Sequence, residues 1–439
     1  MTAPRASVLP QGWTRRRLRF DSRCNPVKSK LDLPDDTEVS FVPMDAVGEL
    51  GGLRLDQTRE LADVYNGYTY FADGDVCIAK ITPCFENGKG AIAEGLVNGV
   101  AFGTTELHVL RPSATLDTKF LFYLTIARDF RSHGEAEMRG AGGQKRVPEE
   151  FLKDWTPSLP RMDVQQRIAR FLDDKTARID ALIEKKQELL ERLEEKRRAL
   201  ITSAVTGESR LRAQAKNKTQ KFGSAWLEAA PSDWKVKRLR FAFESCKNGV
   251  WGAEPDDEDS IVCIRAADFD GQSGRLNNGN RTLRTIDNWS FEKVRLNFGD
   301  LILEKSGGGD KQLVGRAVLF DGHTPSVCSN FLARCRPRIG FHHRFLNYLM
   351  LAIYLGRGTY PHIKQSTGIQ NIDTGSYFDM RVAIPEENIQ IDISNFLDES
   401  VAAIDVIRSC VIRSIEKLNN FRSIVITDAV TGQLPELNG

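Results

Sequence analysis

Between residues 163 and 205 the chain repeats leucine or isoleucine every seven residues in a field of Glu, Lys and Arg, without a Gly or Pro. Counted from Leu172, one row reads Leu172, Ile179, Lys186, Leu193 and Leu200, and a second holds Ile168, Leu182 and Leu189. A period of 3.5 sustained this long predicts a coiled-coil helix. Asp163 is placed to cap its start and Gly207 to terminate it. The pattern returns as Leu397, Ile404, Val411, Leu418 and Val425, with Ile393, Ile407 and Phe421 in the second row and Gly432 as terminator.

Ahead of each long helix the pattern changes. Short apolar or alternating runs at 41–47, 68–80, 90–97 and 100–111, bounded by Gly, Pro and Asn, predict strands. Asn87-Gly88 is a tight-turn signal, and 119–131 reads as an amphipathic helix. A glycine-rich loop at 139–148 and a short strand before Pro160 complete the segment. The second half repeats this order, with a helix in "FHHRFLNYLMLAIYLGR", a loop "QSTGIQNIDTG" and a strand ending at Pro385.

The halves are copies. "ITSAVTG" at 201–207 returns as "ITDAVTG" at 426–432, and Gly74-Asp75 aligns with Gly299-Asp300. Arg111-Pro112 aligns with Arg336-Pro337 and Gln165 with Gln390, while Trp13 and Trp234 head "WTRRRLRF" and "WKVKRLRF". A register kept through unrelated patterns means duplication. The expected fold is α+β: two duplicated mixed α/β domains separated by two long antiparallel coiled-coil helices. The expected limits are 1–160 for the first domain, 161–207 for its helix, 208–232 for a linker, 233–386 for the second domain and 387–439 for the second helix. Antiparallel pairing is favoured because a parallel pair would stretch the linker over most of its ~85 Å reach, along a helix of roughly 65 Å.

Composition narrows the chemistry. The 439 residues carry 61 Lys and Arg against 59 Asp and Glu, a net charge of +2, so any nucleic-acid surface must be local. The eight cysteines include no C-x-x-C pair, which argues against a zinc ribbon or a redox motif. The opening residues lack the apolar core of a signal peptide, and no run approaches 18 apolar residues. A cytoplasmic protein with reduced thiols is expected. P-loop spacing, the G-x-S-x-G elbow and H-E-x-x-H do not occur. His342-His343 reads as the start of a helix rather than a metal pair, and "PDDTE" and "PDDED" read as acidic turns. No catalytic residue, metal site or cofactor of its own is expected.

What remains is a binding pattern. Equivalent loops carry Arg139, Gln144, Lys145 and Arg146 in the first domain and Lys364, Gln365, Gln370 and Asn371 in the second. Lys89 stands against Lys311 and Gln312, and Thr104 and Thr105 against Ser329 and Asn330. Glycine lets backbone N–H groups approach phosphate, Gln and Asn pair with adenine edges, and Arg or Lys with guanine. Each loop alone reads equally as an ordinary surface loop. Shared position with different side chains is what two reading surfaces for different sequences require. "RRRLR" and "KVKRLR" suit phosphate contact or a solvated strand flank.

Laid end to end, "LPQGWTRRRLRF", "SLPRMDVQQRIARFLDDKTARID", "PSDWKVKRLRF" and "AIPEENIQIDISNFLDES" resemble the specificity subunit of type I restriction–modification enzymes. The family's helix-start motif, P-x-x-x-E-Q, appears here with Asp163 and Gln165-Gln166 after Pro160, and with Asn388 and Gln390 after Pro385. The resemblance implies a non-catalytic DNA-reading subunit, each head reading one half of a bipartite, asymmetric site in double-stranded DNA. It implies that the helices dock two adenine-N6 methyltransferase subunits, with a restriction and translocase subunit able to join. S-adenosylmethionine, ATP and Mg²⁺ would then belong to the partners. The alternative is a duplicated coiled-coil adaptor that scaffolds proteins without reading DNA. A fused methyltransferase–nuclease is disfavoured by the missing N/D-P-P-Y/F motif.

Overall fold

The structure is a computed structural model that describes residues 9–141, 143–208, 219–224, 226–255, 260–270, 273–309, 312–366 and 368–438. It divides into two compact units, Met1–Gln187 with Ile412–Gly439, and Glu188–Val411. Each unit therefore holds one head, part of the helix that follows it, and part of the other long helix.

In the first head a four-stranded antiparallel sheet runs Ser22–Cys24, Leu107–Pro112, Val76–Ala79, Gly90–Ile92. A second sheet runs Thr58–Glu60, Glu38–Val42, Val100–Gly103, Thr69–Ala72, its two central strands parallel. Val76–Ala79 is buried at every position, which is why it reads as an unbroken apolar run. The amphipathic stretch at 119–131 is two helices, Thr118–Ile126 and Arg128–Glu137, with Ala127 extended between them. No Gly or Pro marks this break. It is supported by tertiary contact: the Arg128 N–H, free of the first helix, donates to Thr427 Oγ1 at 3.1 Å.

The second head repeats the first sheet as Phe243–Asn248, Leu332–Pro337, Leu301–Glu304, Ala317–Leu319. A second sheet has three strands, Thr282–Thr285, Ser260–Ile264 and Ser326–Cys328, the last two parallel, and a third joins Ser306–Gly307, Ile369–Ile372 and Ile363–Ser366. Part of the stretch expected as linker is built into this head. Thr219–Ser224 and Leu227–Pro231 form an antiparallel strand pair, and Leu227 and Ala230 enter the core beside Trp234.

The long helices are Met162–Val205 and Glu387–Val430. Asp163 lies inside the first turn, paired with Arg161 at 3.2 Å, so it is not the cap. A buried glutamine instead ties each helix start to its head. Gln165 Oε1 accepts from the Asp117 N–H at 2.8 Å, and its Nε2 donates to the Pro160 carbonyl at 2.9 Å. Gln390 does the same with His342 and Pro385, at 2.8 and 2.9 Å. Gly207 and Gly432 close the helices with φ of +76° and +75°, the left-handed C-terminal conformation that favours glycine.

The helices pair antiparallel. In the second unit Glu194 meets Arg408 and Arg197 meets Asp405, both at 2.9 Å, so numbers rise along one helix as they fall along the other. In the first unit Asp180 pairs with Arg422, and Ile168 and Leu172 share a core with Ile426, Ala429 and Val430. Leu172, Ile179, Leu193, Leu397, Ile404 and Val411 are buried as expected, and Leu200, Leu418 and Val425 are half-buried.

The second row is corrected in part. Ile168 is buried and Ile393 half-buried, but Leu182, Leu189, Ile407 and Phe421 are 49%, 40%, 48% and 52% exposed and do not form the seam. The buried or half-buried flank is instead the set four residues after the first row, namely Thr176, Ile183, Leu190, Arg197 and Ala204, and Val401, Arg408, Ile415, Arg422 and Ala429. Positions three and four residues on flank the first row on opposite sides, and apolarity alone selects the wrong side here. Arginine is tolerated at the packed positions because carboxylates on the facing helix pair it.

Candidate nucleic-acid interface

In both heads the first sheet is braced by the same ion pair. Buried Asp75 accepts from Arg111 Nε and Nη2 at 2.6 Å each, and buried Asp300 from Arg336 Nε and Nη2 at 2.9 Å each. Tyr123 donates to Asp173 at 2.8 Å and Tyr348 to Asp398 at 2.7 Å, joining each head to its following helix. The ion pair braces one end of the sheet, where Val76–Ala79 begins and Leu107–Pro112 ends. The candidate site lies at the opposite end, toward which Ser22–Cys24 and Val76–Ala79 run out and where Leu107–Pro112 begins, and the second head is arranged alike.

In the first head the Val147 N–H donates to the Lys80 carbonyl at 2.8 Å, and the Lys80 N–H to the Glu106 carbonyl at 2.9 Å. The glycine-rich loop and the 103–106 loop thus meet at Lys80. The backbones of Arg139 and Arg146 exchange hydrogen bonds at 3.0 and 2.9 Å and close the loop. A side chain on Gly140 (φ +141°) would lie 2.5 Å from the Gln144 carbonyl, so the closure requires glycine. Arg139, Gln144, Lys145 and Thr105 are exposed. Arg146 is engaged, gripping both Glu106 carboxylate oxygens at 2.8 Å. That guanidinium holds the Glu106 carboxyl below its ordinary range, and the carboxylate holds Arg146 above its own. Thr104 Oγ1 accepts from the Glu106 N–H at 3.2 Å. Lys89 stands just before the neighbouring strand Gly90–Ile92 at the same end, but its ammonium donates to the Met44 carbonyl at 3.1 Å.

The second head repeats the convergence. The Ile372 N–H donates to the Lys305 carbonyl at 2.8 Å, and the Lys305 N–H to the Phe331 carbonyl at 3.0 Å. Asn330 and Gln365 are exposed, and Lys364 is exposed with its ammonium 2.6 Å from Asp373. Gln312 is exposed beside the Arg316 guanidinium. Gln370 turns inward, accepting from the Val314 N–H at 3.2 Å. Asn371 Oδ1 accepts from the Ser306 hydroxyl at 2.6 Å, and Ser329 is buried. The stretch expected as a loop is a strand pair, Ile363–Ser366 with Ile369–Ile372, the latter also paired with Ser306–Gly307, and the side chains of Gln370 and Asn371 are occupied in holding it. Lys311 lies outside the described residues.

Sequence reasoning missed the aromatic residues at the same edges: Tyr65, Tyr68 and Tyr70 in one head, Trp251 and Phe331 in the other. "NGYTYF" (66–71) carried a signal, three aromatic residues within four positions beside a turn. Trp251 stood next to no periodic pattern and gave none.

Residues 10–192 match the model of the type I restriction modification DNA specificity domain. Over that stretch, less than half of its length, the chain is similar to the type I specificity family. It is 44% identical over 163 residues to the EcoAI specificity subunit of Escherichia coli and 42% identical over 163 residues to the EcoEI subunit. That stretch is 36% of this chain and 27% of each relative, so the chain spans about a quarter of their length. The StySPI specificity subunit of Salmonella potsdam is 22% identical over 331 residues, covering 74% of this chain and 67% of that protein. An HsdS subunit from Thermoanaerobacter tengcongensis shares the fold with a TM-score of 0.53 at 17% identity, over 99% of this chain and all of that one. A chain solved in a study of complex assembly and conformational transition of the type I R-M system aligns with a TM-score of 0.67 at 17% identity, over 97% of this chain and all of that one. Among the described residues of this chain, no group of three or more His, Cys, Asp or Glu is placed to hold a metal ion. None of its described helices is long and apolar enough to cross a membrane.

Proposed function

We propose that this chain is the non-catalytic reading subunit of a type I restriction–modification complex, working in the cytoplasm. Each head recognises one half of a bipartite, asymmetric site in double-stranded DNA. The observation that carries this reading is the pair of equivalent sheet edges. Val147 on Lys80 and Ile372 on Lys305 are the same hydrogen bond in two heads, yet the exposed side chains around them differ. A common frame with different contact groups is what reading two unlike sequences demands.

The long helices dock two adenine-N6 methyltransferase subunits. Leu182 and Phe421 in the first unit, and Leu189 and Ile407 in the second, supply exposed apolar surface for them. S-adenosylmethionine, ATP and Mg²⁺ act in those subunits and in a restriction and translocase subunit. The test is to express the chain with its methyltransferase and sequence the methylated bases. One split consensus should appear, with binding to a duplex carrying it weakening steeply with salt, and the chain alone should transfer no methyl group. A complex that assembles with methyltransferase but neither shifts DNA nor yields a consensus would instead establish the adaptor.

A further inference from the structure

Each sheet edge opens a crevice inside its own head. In the first head it measures about 500 Å³ and is lined by Lys28, Tyr65, Tyr68, Tyr70 and Lys80. In the second it measures about 420 Å³ and is lined by Trp251, Arg265, Ser306, Asn330 and Phe331. Both lie where the first strand of the sheet ends, where the Lys80 or Lys305 turn begins, and ahead of the strand that starts at Leu107 or Leu332. One member of each edge is shared and the rest are not. Lys80 and Lys305 occupy the same repeat position and make the same backbone contacts, whereas the aromatic and amide groups differ in kind and number.

We infer that the shared lysine and the unshared side chains divide the work: Lys80 and Lys305 hold DNA phosphate, and the crevice residues led by Tyr68 and by Phe331 with Asn330 read base edges. The assignment rests on the DNA-reading function proposed above. Phosphate is identical at every step of a duplex, so a group that grips it gains nothing by changing between copies. Base edges differ between half-sites, so a group that reads them must change. The chemistry at each edge fits. Tyr68 stands edge-on to Phe41 at 5.1 Å between centroids, which fixes its ring while leaving it 40% exposed. Phe331 is 51% exposed, with its backbone held by Lys305 and Ser306. Fixed aromatic faces suit the thymine methyl group, a tyrosine hydroxyl or an asparagine amide suits hydrogen bonding to a base edge, and an ammonium suits a phosphate oxygen.

The test uses the full chain with its methyltransferase subunits and reads both the methylated consensus and the salt dependence of binding. Tyr68→Ala should relax discrimination within the first half-site by roughly 10- to 100-fold and leave the second unchanged. Phe331→Ala and Asn330→Ala should do the reverse. Lys80→Ala should leave the consensus intact, weaken binding to all sequences alike, and lower the slope of log K against log salt by about 1. Tyr68→Phe and the exposed Asn330→Ala serve where a full aromatic truncation disturbs folding. A wild-type consensus left unchanged by every crevice variant, or half-sites that relax together, would overturn the division of labour. Lys80→Ala altering the consensus would overturn it too. A wild-type complex with no consensus would sink the DNA-reading assignment, and the crevice roles with it.

Discussion

The two heads agree where the chain must hold itself together and disagree where it faces outward. Asp75 with Arg111 and Asp300 with Arg336 are one ion pair made twice, as are the Gln165 and Gln390 locks on the helix starts. At the sheet edge the agreement stops after the backbone: one head carries tyrosines where the other carries Trp251 and Phe331. The repeated helix ends belong to the first class, with a twist. Ile426, Ala429 and Val430 of the second long helix pack with Trp13 of the first head, and Ile201, Ala204 and Val205 of the first helix pack with Trp234 of the second. Each head is completed by the helix that follows the other. A seven-residue phrase survives in duplicate because each copy fits the same tryptophan pocket.

The largest expected effects test that exchange. Trp13 and Trp234 are almost wholly buried, so Trp13→Ala and Trp234→Ala should each cost about 3–5 kcal/mol. Hydrogen exchange should locate the loss in one unit per variant, at the head and at the helix end packed on it. Protection left intact at 426–430 in the Trp13 variant would mean the helix end is held by something else.

Next come the braces. Asp75→Asn and Asp300→Asn each leave an arginine without its carboxylate in a mostly buried place. Loss of a buried partner costs about 3–5 kcal/mol, but Arg111 and Arg336 are 35% and 28% exposed at the side chain and can rehydrate. A loss of about 2 kcal/mol in each head is expected after that screening, read from denaturant midpoints. Unequal losses would show that the duplicated pair no longer does the same job in both heads. Smaller again are Gly207→Ala and Gly432→Ala. The new methyl would stand 2.6 Å from Pro231 Cδ or Pro10 Cγ, in backbone with positive φ, and about 1 kcal/mol or more should be lost.

How much of this was legible in the residues follows the same division. Periodicity exposed the long helices and the first row of their seam, because burial repeats at fixed spacing and leaves a countable trace, and the reach of the linker exposed the antiparallel pairing. The duplication exposed Asp75, Arg111 and Gln165 as a set, although not their geometry. The second seam row was misplaced because Leu182 and Ile407 are more apolar than Arg197 and Arg408, which enter the seam on the strength of carboxylates the pattern cannot pair. The break at Ala127 and the inward turn of Gln370 were invisible for a like reason: each depends on a backbone group in a distant segment. At the edges, polar residues in glycine loops marked the right place. Half of them proved to be scaffolding, and the aromatic side chains beside them carried no period.

The smallest expected change in stability gives the sharpest contrast between core and surface of one helix. Leu182→Ser and Ile407→Ser alter residues that are half exposed and make no seam contact, so each should shift stability by no more than ~0.5 kcal/mol. Leu193→Ala, one position removed in pattern but 8% exposed, should cost roughly 2–5 kcal/mol. If the outward row is the methyltransferase surface, the serine variants should nevertheless weaken assembly with that subunit. Leu182→Ser acts in the first unit and Ile407→Ser in the second, so each should remove one methyltransferase of two, visible as a 1:1 complex by native mass spectrometry. Full 2:1 assembly by the double variant, with the fold intact, would leave the apolar outer row without a partner and return the docking surface to the heads.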